Sequence, residues 1–423
     1  MLDAEVTAQQ SPDGGKVEVT VDGQTLQGTV AGGKVAVTFP RLRAGTHDVV
    51  ATYLGNAEVE ASAAVRMSLT VRSQTGLTLQ LNSGSDRAFR PGETLWLRGK
   101  ATDSAARPYA RRFVTLYRYS GSKAYRVGLV RTSSSGWYAL ALKPSASTTY
   151  RAVLGTKRSP PLKVTRVTEA RTLESRELAL RFLLGTAVSG RNVSSSVVWR
   201  RYQRGILAQV GSHTWLVRTS VFATYLEKKG VVGTLGAPIA DQRCGLRESA
   251  CIQQFKRGAI YVNSKAKRKA VAMVAPGHAA GLVAVALSQV GYREPKPRKS
   301  KYNKWIKETG AHDPWCGFFV AWVGNASGHK GAVVSRKSFP AMVRAERARH
   351  RTTSKPAVGR IAYMDFFGNG KPTHAGIVYK FNGSHVWTIE GNVSAGGRSK
   401  HPRGVHLVKR NRSRIVFYAN PRY

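Results

Sequence analysis

The stretch Trp315-Cys316-Gly317-Phe318-Phe319-Val320-Ala321-Trp322 places a cysteine at the start of an unbroken apolar run. Asp313 and Pro314 come just before it, and both residue types commonly stand where helices begin. The sequence therefore predicts a buried helix with Cys316 in its first turn. Unpaired N–H groups and the positive end of the helix dipole favour a thiolate there. A thiolate is the nucleophile that a thiol hydrolase needs.

A histidine and an acid follow on two predicted strands. Residues 373–379 alternate like a strand and contain His374 near their start, and residues 386–392 form a second strand that ends in Glu390 and Asn392. A cysteine on a helix, then a histidine on one strand, then an acid on the next is the chain order of papain-like cysteine hydrolases. This order indicates a cysteine hydrolase.

The C-terminal part, from about residue 279 to residue 423, resembles a CHAP domain (cysteine, histidine-dependent amidohydrolase/peptidase). The resemblance rests on six segments, which are the apolar helix 282–287, YNKW at 302–305, PWCGFFVAWV at 314–323, HAGIVY at 374–379, WTIEGN at 387–392 and VFY at 416–418. Members of this family cleave amide bonds in bacterial peptidoglycan. One departure is Arg360, which follows Gly359 where the family pattern has aspartate.

The resemblance implies a papain-like α+β fold and a role for each matching residue. Cys316 becomes the nucleophile, His374 the base, Glu390 the group that orients the base, and Asn392 a further polar partner. His374 is preferred over His312, His329 and His385 because its strand can lie beside the strand of Glu390. The alternative for Cys316 is a small buried hydrophobe, and the alternative for Glu390 is an ordinary surface acid.

Three aromatic residues are candidates for substrate binding. We expect Trp305 and Trp315 to wall the groove and the Tyr302 hydroxyl to help hold the oxyanion. The reaction needs no metal or cofactor, so none is expected. The Asp-rich loop through which some related lysins bind calcium does not occur before Cys316.

Charge and hydropathy limit the partners of the chain. Its 423 residues predict three or four domains, and 67 Lys and Arg against 23 Asp and Glu give a formal net charge of +44. Such a chain should adhere to polyanions such as nucleic acid, anionic lipid or cell-wall polymers. No nucleic-acid recognition motif is visible, and no apolar run approaches the ~20 residues of a membrane span. We expect a monomer bound to peptidoglycan and anionic wall polymers.

The three cysteines and the start of the chain bear on where the protein acts. Cys244 and Cys251 lie close together and Cys316 stands apart, which fits a local disulfide and a reactive thiol in an exported protein. The alternative is three reduced cysteines in a cytosolic chain, and the spacing does not suit zinc. The first five residues contain no secretory signal. We nevertheless expect an extracellular, wall-associated protein, exported through a signal peptide removed upstream or by another route.

The N-terminal part predicts two all-β sandwiches, at residues 1–72 and 73–166. Short alternating runs, such as residues 16–21 and 33–39, are separated by glycine-rich turns, which is typical of a β-sandwich. Residues 44–55 resemble bacterial Ig-like repeats, and residues 135–152 resemble the late strands of a second Ig-like domain. The first half carries no paired acids or clustered histidines and is interpreted as a spacer or adhesive module. In the second half Trp96, Trp137 and Tyr150 are interpreted as sandwich core, with a sugar-stacking platform as the alternative.

Residues 167–272 contain an internal repeat. The motif of Leu184 to Ala187 recurs after 51 residues at Leu235, and the motif beginning at Tyr202 recurs after 53 residues at Phe255. The units resemble LGFP repeats of exported wall-associated proteins, although Tyr202 and Ala208 replace the usual Phe and Tyr of the first copy. They imply docking to the cell wall, with a mere spacer as the alternative. A basic linker at 264–278 then leads into the CHAP-like domain at 273–423.

Taken together, these features predict a secreted, multidomain peptidoglycan hydrolase, either an N-acetylmuramoyl-L-alanine amidase or an endopeptidase. Two other classes remain open at this point. One is a non-catalytic wall-binding adhesion protein with a degenerate CHAP fold. The other is a polyanion-binding protein whose basicity is itself the function.

Overall fold

A computed structural model gives the structure of the chain at residues 2–39, 42, 45–71, 78–79, 81, 87–103, 106–169, 171–297, 299–306, 314–349, 351–394 and 402–423. The chain is multidomain and mostly β-sheet, as predicted. It forms two compact units. The first holds residues 1–83, 98–140 and 148–163, and the second holds residues 84–97, 141–147 and 164–423.

The N-terminal domain is built from six antiparallel strands in two sheets. They are β1 Leu2–Glu5, β2 Lys16–Val21, β3 Gln24–Thr29, β4 Lys34–Val37, β5 Gly45–Tyr53 and β6 Val65–Val71. One sheet pairs β1 with β4, and the other has the order β3-β2-β5-β6. Strand β2 buries Val17, Val19 and Val21 while its other residues are more exposed. This alternation gives one face of the sheet to the core.

Nine strands follow between residues 78 and 166. They are β7 Thr78–Leu79, β8 Ala88–Phe89, β9 Leu95–Thr102, β10 Phe113–Ser120, β11 Lys123–Arg131, β12 Trp137–Leu142, β13 Thr148–Leu154, β14 Lys157–Arg158 and β15 Leu162–Arg166. Within the first unit, β10 pairs antiparallel with β11 and β13. Within the second unit, β8 pairs parallel with the end of β15.

The repeat region combines two antiparallel sheets with two helices. Its elements are α1 Leu173–Leu184, β16 Asn192–Ser194, β17 Val197–Tyr202, β18 Gly205–Val210, β19 His213–Arg218, α2 Phe222–Glu227, β20 Cys251–Phe255, β21 Gly258–Val262 and β22 Ala270–Val274. Strands β16 to β19 form one sheet in chain order, and β20 to β22 form the other. Thr172 caps α1 by accepting a hydrogen bond from the Ser175 N–H.

The two sequence copies adopt the same backbone arrangement. In each copy the N–H two residues after the motif aromatic donates to the carbonyl of the motif leucine at 2.9 Å, from Arg204 to Leu184 and from Arg257 to Leu235. The aromatic residue also forms an isolated antiparallel β-bridge with the last residue of the leucine motif. The pairs are Tyr202 with Ala187 and Phe255 with Pro238. The repeat is therefore structural as well as sequential.

The glycine of each copy is required by close packing. A Cβ on Gly205 would lie 2.5 Å from the Val217 carbonyl oxygen, and a Cβ on Gly258 would lie 2.2 Å from the Met273 carbonyl oxygen. Each would also press on the motif leucine of its own copy. Any larger residue would therefore force backbone atoms apart, which explains why both copies have glycine at this position.

Cys244 and Cys251 are joined by a disulfide within the second copy. Replacing both with serine should lower the free energy of unfolding by about 2 kcal/mol, because a short closed loop removes a modest amount of entropy from the unfolded chain. Denaturant unfolding without reductant measures this difference. A reductant-treated wild type should match the double variant, and equal stability of the untreated proteins would contradict the prediction.

The C-terminal part places helices against a six-stranded antiparallel sheet. The helices are α3 Gly277–Ser288, α4 Lys301–Ile306, α5 Cys316–Ala326 and α6 Phe339–Ala348, and the strands are β23 Thr352–Thr353, β24 Ile361–Met364, β25 His374–Phe381, β26 His385–Val393, β27 Gly404–Asn411 and β28 Ile415–Ala419. The sheet order is β23-β28-β24-β25-β26-β27. Helix α5 is apolar except at Asn325 and packs across β25 and β26, which positions Cys316 over the sheet.

The basic linker predicted at residues 264–278 is wrong. Residues 270–274 form β22, which pairs with β21, and α3 packs on both strands. Ile252 and Tyr261 of the repeat region share one apolar core with Val283 of α3. The repeats and the C-terminal sheet thus belong to one compact unit. No helix in the described part of the chain is long and apolar enough to cross a membrane.

Candidate active site

Cys316 is the first residue of α5, as the sequence predicts, and its side chain is 1% exposed. No side chain among the described residues caps this end of the helix, and the first intrahelical bond is that of the Phe319 N–H to the Trp315 carbonyl. The N–H groups of the first turn therefore point past the thiol without helical partners. They form a local positive potential at the candidate nucleophile.

His374 and Glu390 lie beside Cys316 on the neighbouring strands β25 and β26. The imidazole Nε2 is 2.9 Å from a Glu390 carboxylate oxygen, and the Cys316 thiol lies close enough to the ring to raise its pKa. His374 is 6% exposed and Glu390 is fully buried. Since Nε2 is taken by the carboxylate, Nδ1 is the nitrogen left for the thiol. The structure thus brings the three sequence-predicted residues into one line.

Gly376 makes this arrangement possible. It lies opposite Glu390 in the register of β25 and β26, and a Cβ at this position would lie 2.7 Å from the Glu390 Cγ. A side chain here would push the carboxylate away from the imidazole. The glycine of the HAGIVY motif therefore leaves room for the acid on the next strand.

Arg410 and Thr388 complete the surroundings of Glu390, and the sequence analysis did not identify either residue. Arg410 Nε and one terminal nitrogen donate to the two carboxylate oxygens at 2.9 and 2.6 Å. The Thr388 hydroxyl donates to one of the same oxygens at 2.5 Å. The signal available in the sequence was the alternation of residues along β27. It puts Arg410 on the same face of the sheet as Val408, and Val408 pairs with Thr388 of β26. Finding the contact required the strand order.

The charges of this cluster shift two pKa values in opposite directions. Burial alone would lower the pKa of His374, but Cys316 and Glu390 raise it to about 10. Burial alone would raise the pKa of Glu390, but hydrogen bonds from Arg410 and His374 lower it to about 2. A thiolate, an imidazolium, a carboxylate and a guanidinium together carry no net charge. The buried cluster can therefore hold the ion pair without an uncompensated charge.

A short loop covers the open side of His374. The Asp365 carboxylate accepts hydrogen bonds from the N–H groups of Phe367, Gly368 and Gly370 at 2.6–2.9 Å. This holds the Phe366 ring 5.6 Å from the His374 ring and 4.8 Å from the Arg410 guanidinium. Phe367 is 79% exposed beside the site. The loop therefore places the Phe366 ring against the imidazole and the guanidinium and leaves the next side chain exposed.

The positions of Tyr302 and Trp315 do not support their predicted roles, which were oxyanion donor for Tyr302 and groove wall for Trp315. Both side chains are fully buried and stack on each other at 5.2 Å. The Tyr302 hydroxyl bonds Gln289, and the Trp315 indole donates to Glu294 at 2.9 Å. A side chain without exposed surface cannot wall an open groove, so these residues fix the start of α5 instead. Sequence alone cannot separate core from groove aromatics.

The remaining predicted site residues are Trp305 and Asn392. Trp305 is partly exposed at the end of α4, with the Arg247 guanidinium 5.0 Å from its ring. Asn392 is 7% exposed in a left-handed conformation, φ 64°, at a register shift of β26. Within the described ranges its amide makes no hydrogen bond. Asp313 and His312 lie outside the described residues.

Tyr363 is a further group near the nucleophile. Its ring stacks on Phe417 at 4.6 Å, and its hydroxyl is buried with no hydrogen-bond partner among the residues that the structure describes. Burial raises the pKa of this hydroxyl, and the neighbouring charges of Glu346 and Cys316 raise it further. The hydroxyl is therefore a neutral donor within the electrostatic reach of Cys316. The described part of the chain contains no cluster of three or more potential metal ligands.

Comparison with known families supports the prediction for the N-terminal domain. Residues 1–72 match the bacterial Ig-like domain (group 3) family. These residues form a bacterial Ig-like domain. Its two sheets of β1 to β6 agree with the sandwich predicted from the alternating strands. This match covers the N-terminal 72 of the 423 residues.

Solved structures that resemble the chain are similar only at a low level. One is the complex of Dpr2 Ig1-Ig2 with DIP-Theta Ig1-Ig3, at 10% identity and a TM-score of 0.18, covering 40% of this chain and 90% of that one. Another is surface layer protein SbsC, domains 4–9, at 14% identity and a TM-score of 0.19, covering 48% of this chain and 29% of that one. A search of curated proteins found no match.

Proposed function

We propose that the C-terminal part of the chain is a CHAP-like cysteine hydrolase that cleaves amide bonds in bacterial peptidoglycan. The observation that carries the proposal is the buried line from Cys316 through His374 to Glu390, with Arg410 behind it. An ordinary core cysteine has no need of a charged histidine and a carboxylate next to it. The resemblance of the surrounding motifs to the CHAP family supplies the substrate class.

The proposed reaction begins with transfer of the Cys316 thiol proton to His374. Glu390 holds the imidazolium in the orientation that this transfer requires. The thiolate attacks the amide carbonyl, and His374 then protonates the leaving amine as the C–N bond breaks. Water, deprotonated by His374, hydrolyses the thioester and restores the thiol. The product is a free carboxylate and a free amine, and the bond is either muramoyl–L-alanine or one within the peptide.

The oxyanion of the intermediate needs at least two hydrogen-bond donors. The Cys316 N–H at the start of α5 is the first, since this group has no helical partner. We assign the second role, which the sequence suggested for Tyr302, to the hydroxyl of Tyr363. This hydroxyl has no hydrogen-bond partner among the described residues and interacts electrostatically with Cys316. Its side chain has no exposed surface, so the role requires the hydroxyl to become accessible when substrate binds.

Replacing Tyr363 with phenylalanine should lower kcat about 100-fold, the effect of losing one oxyanion donor. The free energy of unfolding should change by less than about 0.5 kcal/mol, because no protein hydrogen bond is lost. Initial rates on a soluble wall fragment, with a denaturant melt, measure both values. Tyr302→Phe is the matched control and should retain kcat within a few-fold. Equal losses from both variants would contradict the assignment.

The remaining modules are proposed to hold this domain at the wall. The bacterial Ig-like domain, the second sandwich at 73–166 and the LGFP-like repeats at 167–272 serve as spacers and docking modules. A net charge of +44 attracts the chain to anionic wall polymers. The Cys244–Cys251 disulfide suits an extracellular location.

The test is digestion of purified Gram-positive cell walls by the wild type and by Cys316→Ala. We expect turbidity to fall with the wild type alone, because the variant lacks the nucleophile but keeps a residue that suits the apolar start of α5. Mass spectrometry of the fragments names the bond through new muramic-acid carboxylates or new peptide amines. If both proteins bind walls and neither cleaves them, the catalytic proposal is wrong and a non-catalytic wall-binding protein is favoured.

A further inference from the structure

A cavity of about 360 Å³ lies in the second unit, and none of its lining residues belongs to the Cys316 site. Its wall includes Thr94, Trp96, Lys143, Leu216, Arg218 and Asp241. Cavities that bind small molecules usually measure roughly 300–1,000 Å³ and are mostly apolar with a few convergent polar groups. This cavity meets the condition of size, and its wall combines leucine, tryptophan and alanine side chains with a few polar and charged ones.

Arg218 supplies an available cation. Its guanidinium lies 4.7 Å from the centre of the Trp96 ring, an arrangement that holds the planar group against the indole. In the described part of the chain, no carboxylate lies within ion-pair distance of Arg218. A guanidinium that is oriented but lacks an ion-pair partner is suited to bind an anion through two parallel N–H groups.

The one carboxylate in the cavity wall, that of Asp241, already forms an ion pair with Arg176. It accepts hydrogen bonds from the N–H groups of Thr94 and Leu216, each at 2.7 Å, and from the guanidinium of Arg176 at 2.8 Å. Arg176 is fully buried behind it. Arg176 therefore offsets much of the charge of Asp241, although Asp241 still attracts the Arg218 guanidinium. The cations that line the cavity are Arg218 and, at exposed positions, Lys143 and Arg243.

Thr94 provides a second polar contact. Its side chain lines the cavity and is 8% exposed, and its hydroxyl has no hydrogen-bond partner among the residues given in the structure. A buried hydroxyl without a partner is rare in folded proteins. The hydroxyl oxygen itself has almost no exposed surface, so a ligand hydroxyl or oxyanion in the cavity would satisfy it once the Thr94 side chain turns toward the cavity. This observation is independent of the cation and points to the same volume.

We propose that this cavity binds a ring-sized sugar that carries one anionic group, with Arg218 on the anion and Thr94 on a hydroxyl. The apolar walls of Trp96 and Leu216 contact the ring. The shared chemistry is an oxyanion attached to a polyhydroxylated ring, and the anion is either a carboxylate or a phosphate. This proposal does not depend on hydrolysis at Cys316.

Isothermal titration of the full chain with glucuronate, glucose 6-phosphate and neutral glucose tests the proposal. We expect saturable binding of at least one of the two anions, and glucose should bind at least about tenfold more weakly because it cannot pair with the guanidinium. The stronger of the two anions identifies the carboxylate or the phosphate as the preferred group. Absence of saturable binding by both anions, or equal binding of glucose, would overturn the proposal.

Two variants locate the binding site. Arg218→Gln should weaken the anion by at least about tenfold, while Arg181→Gln, an exposed arginine on α1, should leave affinity unchanged. If Arg218→Gln fails to fold by circular dichroism, Thr94→Val serves instead, because it keeps the side-chain shape and the backbone bonds. We expect a loss of about threefold from the missing hydroxyl. Unchanged affinity in the folded variants would place the anion elsewhere and contradict the proposal.

Discussion

Replacing Glu390 with glutamine is expected to lower kcat for amide hydrolysis by about 10³–10⁴-fold. The carboxylate accepts from His374, from two nitrogens of Arg410 and from Thr388. An amide cannot stabilise the imidazolium by charge, and it can present an N–H to the ring and select the wrong tautomer. A comparable exchange of the acid in serine proteases has an effect of this size. Initial rates on a soluble wall fragment measure it.

The pH profile separates this electrostatic role from a structural one. In the wild type the pKa of His374 is raised to about 10 by Cys316 and Glu390 against the effect of burial. The imidazolium that protonates the leaving amine should therefore persist until the pH passes about 10. Without the carboxylate the imidazolium is less stable, so the alkaline fall in kcat/KM should move to lower pH in Glu390→Gln. If the substitution only distorted the site, kcat/KM would fall at every pH and the pH of its alkaline decrease would stay the same.

Stability should depend on pH with a definite sign. The Glu390 pKa of about 2 in the folded protein lies below its ordinary value of 4.5. The carboxylate therefore contributes stability above about pH 4.5, and this contribution disappears as the pH falls through about 2. For His374 the raised pKa means that stability is complete below about pH 6.5 and declines as the pH rises through about 10. The difference between wild type and Glu390→Gln should shrink in acid.

The controls for Glu390→Gln keep either the charge or the fold. Glu390→Asp retains the carboxylate and should recover part of the rate and the alkaline limb. Arg410→Gln removes the cation that hydrogen bonds the Glu390 carboxylate but leaves the pair of Glu390 with His374. This variant should therefore lose less activity than Glu390→Gln. An unchanged pH profile in Glu390→Gln would show that the carboxylate does not act on the imidazole.

The predictions that were confirmed rested on the periodic pattern of apolar residues along the sequence. The N-terminal Ig-like domain is confirmed, because an open sandwich alternates buried and exposed residues, as at Val17, Val19 and Val21. The start of a helix at Cys316 and of strands near His374 and His385 also followed from local pattern. Local pattern is sufficient wherever one face of an element must be apolar.

Contacts between distant strands could not be predicted in the same way. Arg410 reaches Glu390 only because β27 pairs with β26 in a particular register, and the sequence gives neither the partner nor the register. The burial of Tyr302 and Trp315 depends on how α4 and α5 pack, which their residue types leave open. Strand β22 was missed because a short segment that follows several basic residues is typical of a linker as well.

The largest expected loss of stability is that of Asp241→Ala in the second unit. The variant leaves the Arg176 guanidinium without its carboxylate and the N–H groups of Thr94 and Leu216 without an acceptor. Arg176 is fully buried and also donates to the carbonyls of Thr94 and Thr214. Removing one member of a buried ion pair destabilises a protein by about 3–5 kcal/mol. Calorimetric or denaturant unfolding of the full chain measures the change in the affected transition.

Two further variants test whether the unpaired charge of Arg176 causes the loss of stability in Asp241→Ala. Glu227→Ala removes an exposed carboxylate from α2 and should change stability by less than about 0.5 kcal/mol. The double variant Arg176→Met, Asp241→Leu removes both charges and should be more stable than Asp241→Ala alone, because an apolar pair leaves no uncompensated charge in the core. If the double variant is as unstable as the single one, the loss comes from packing or from the unpaired N–H groups. The guanidinium of Arg176 would then have to be reaching solvent or another acceptor once Asp241 is gone.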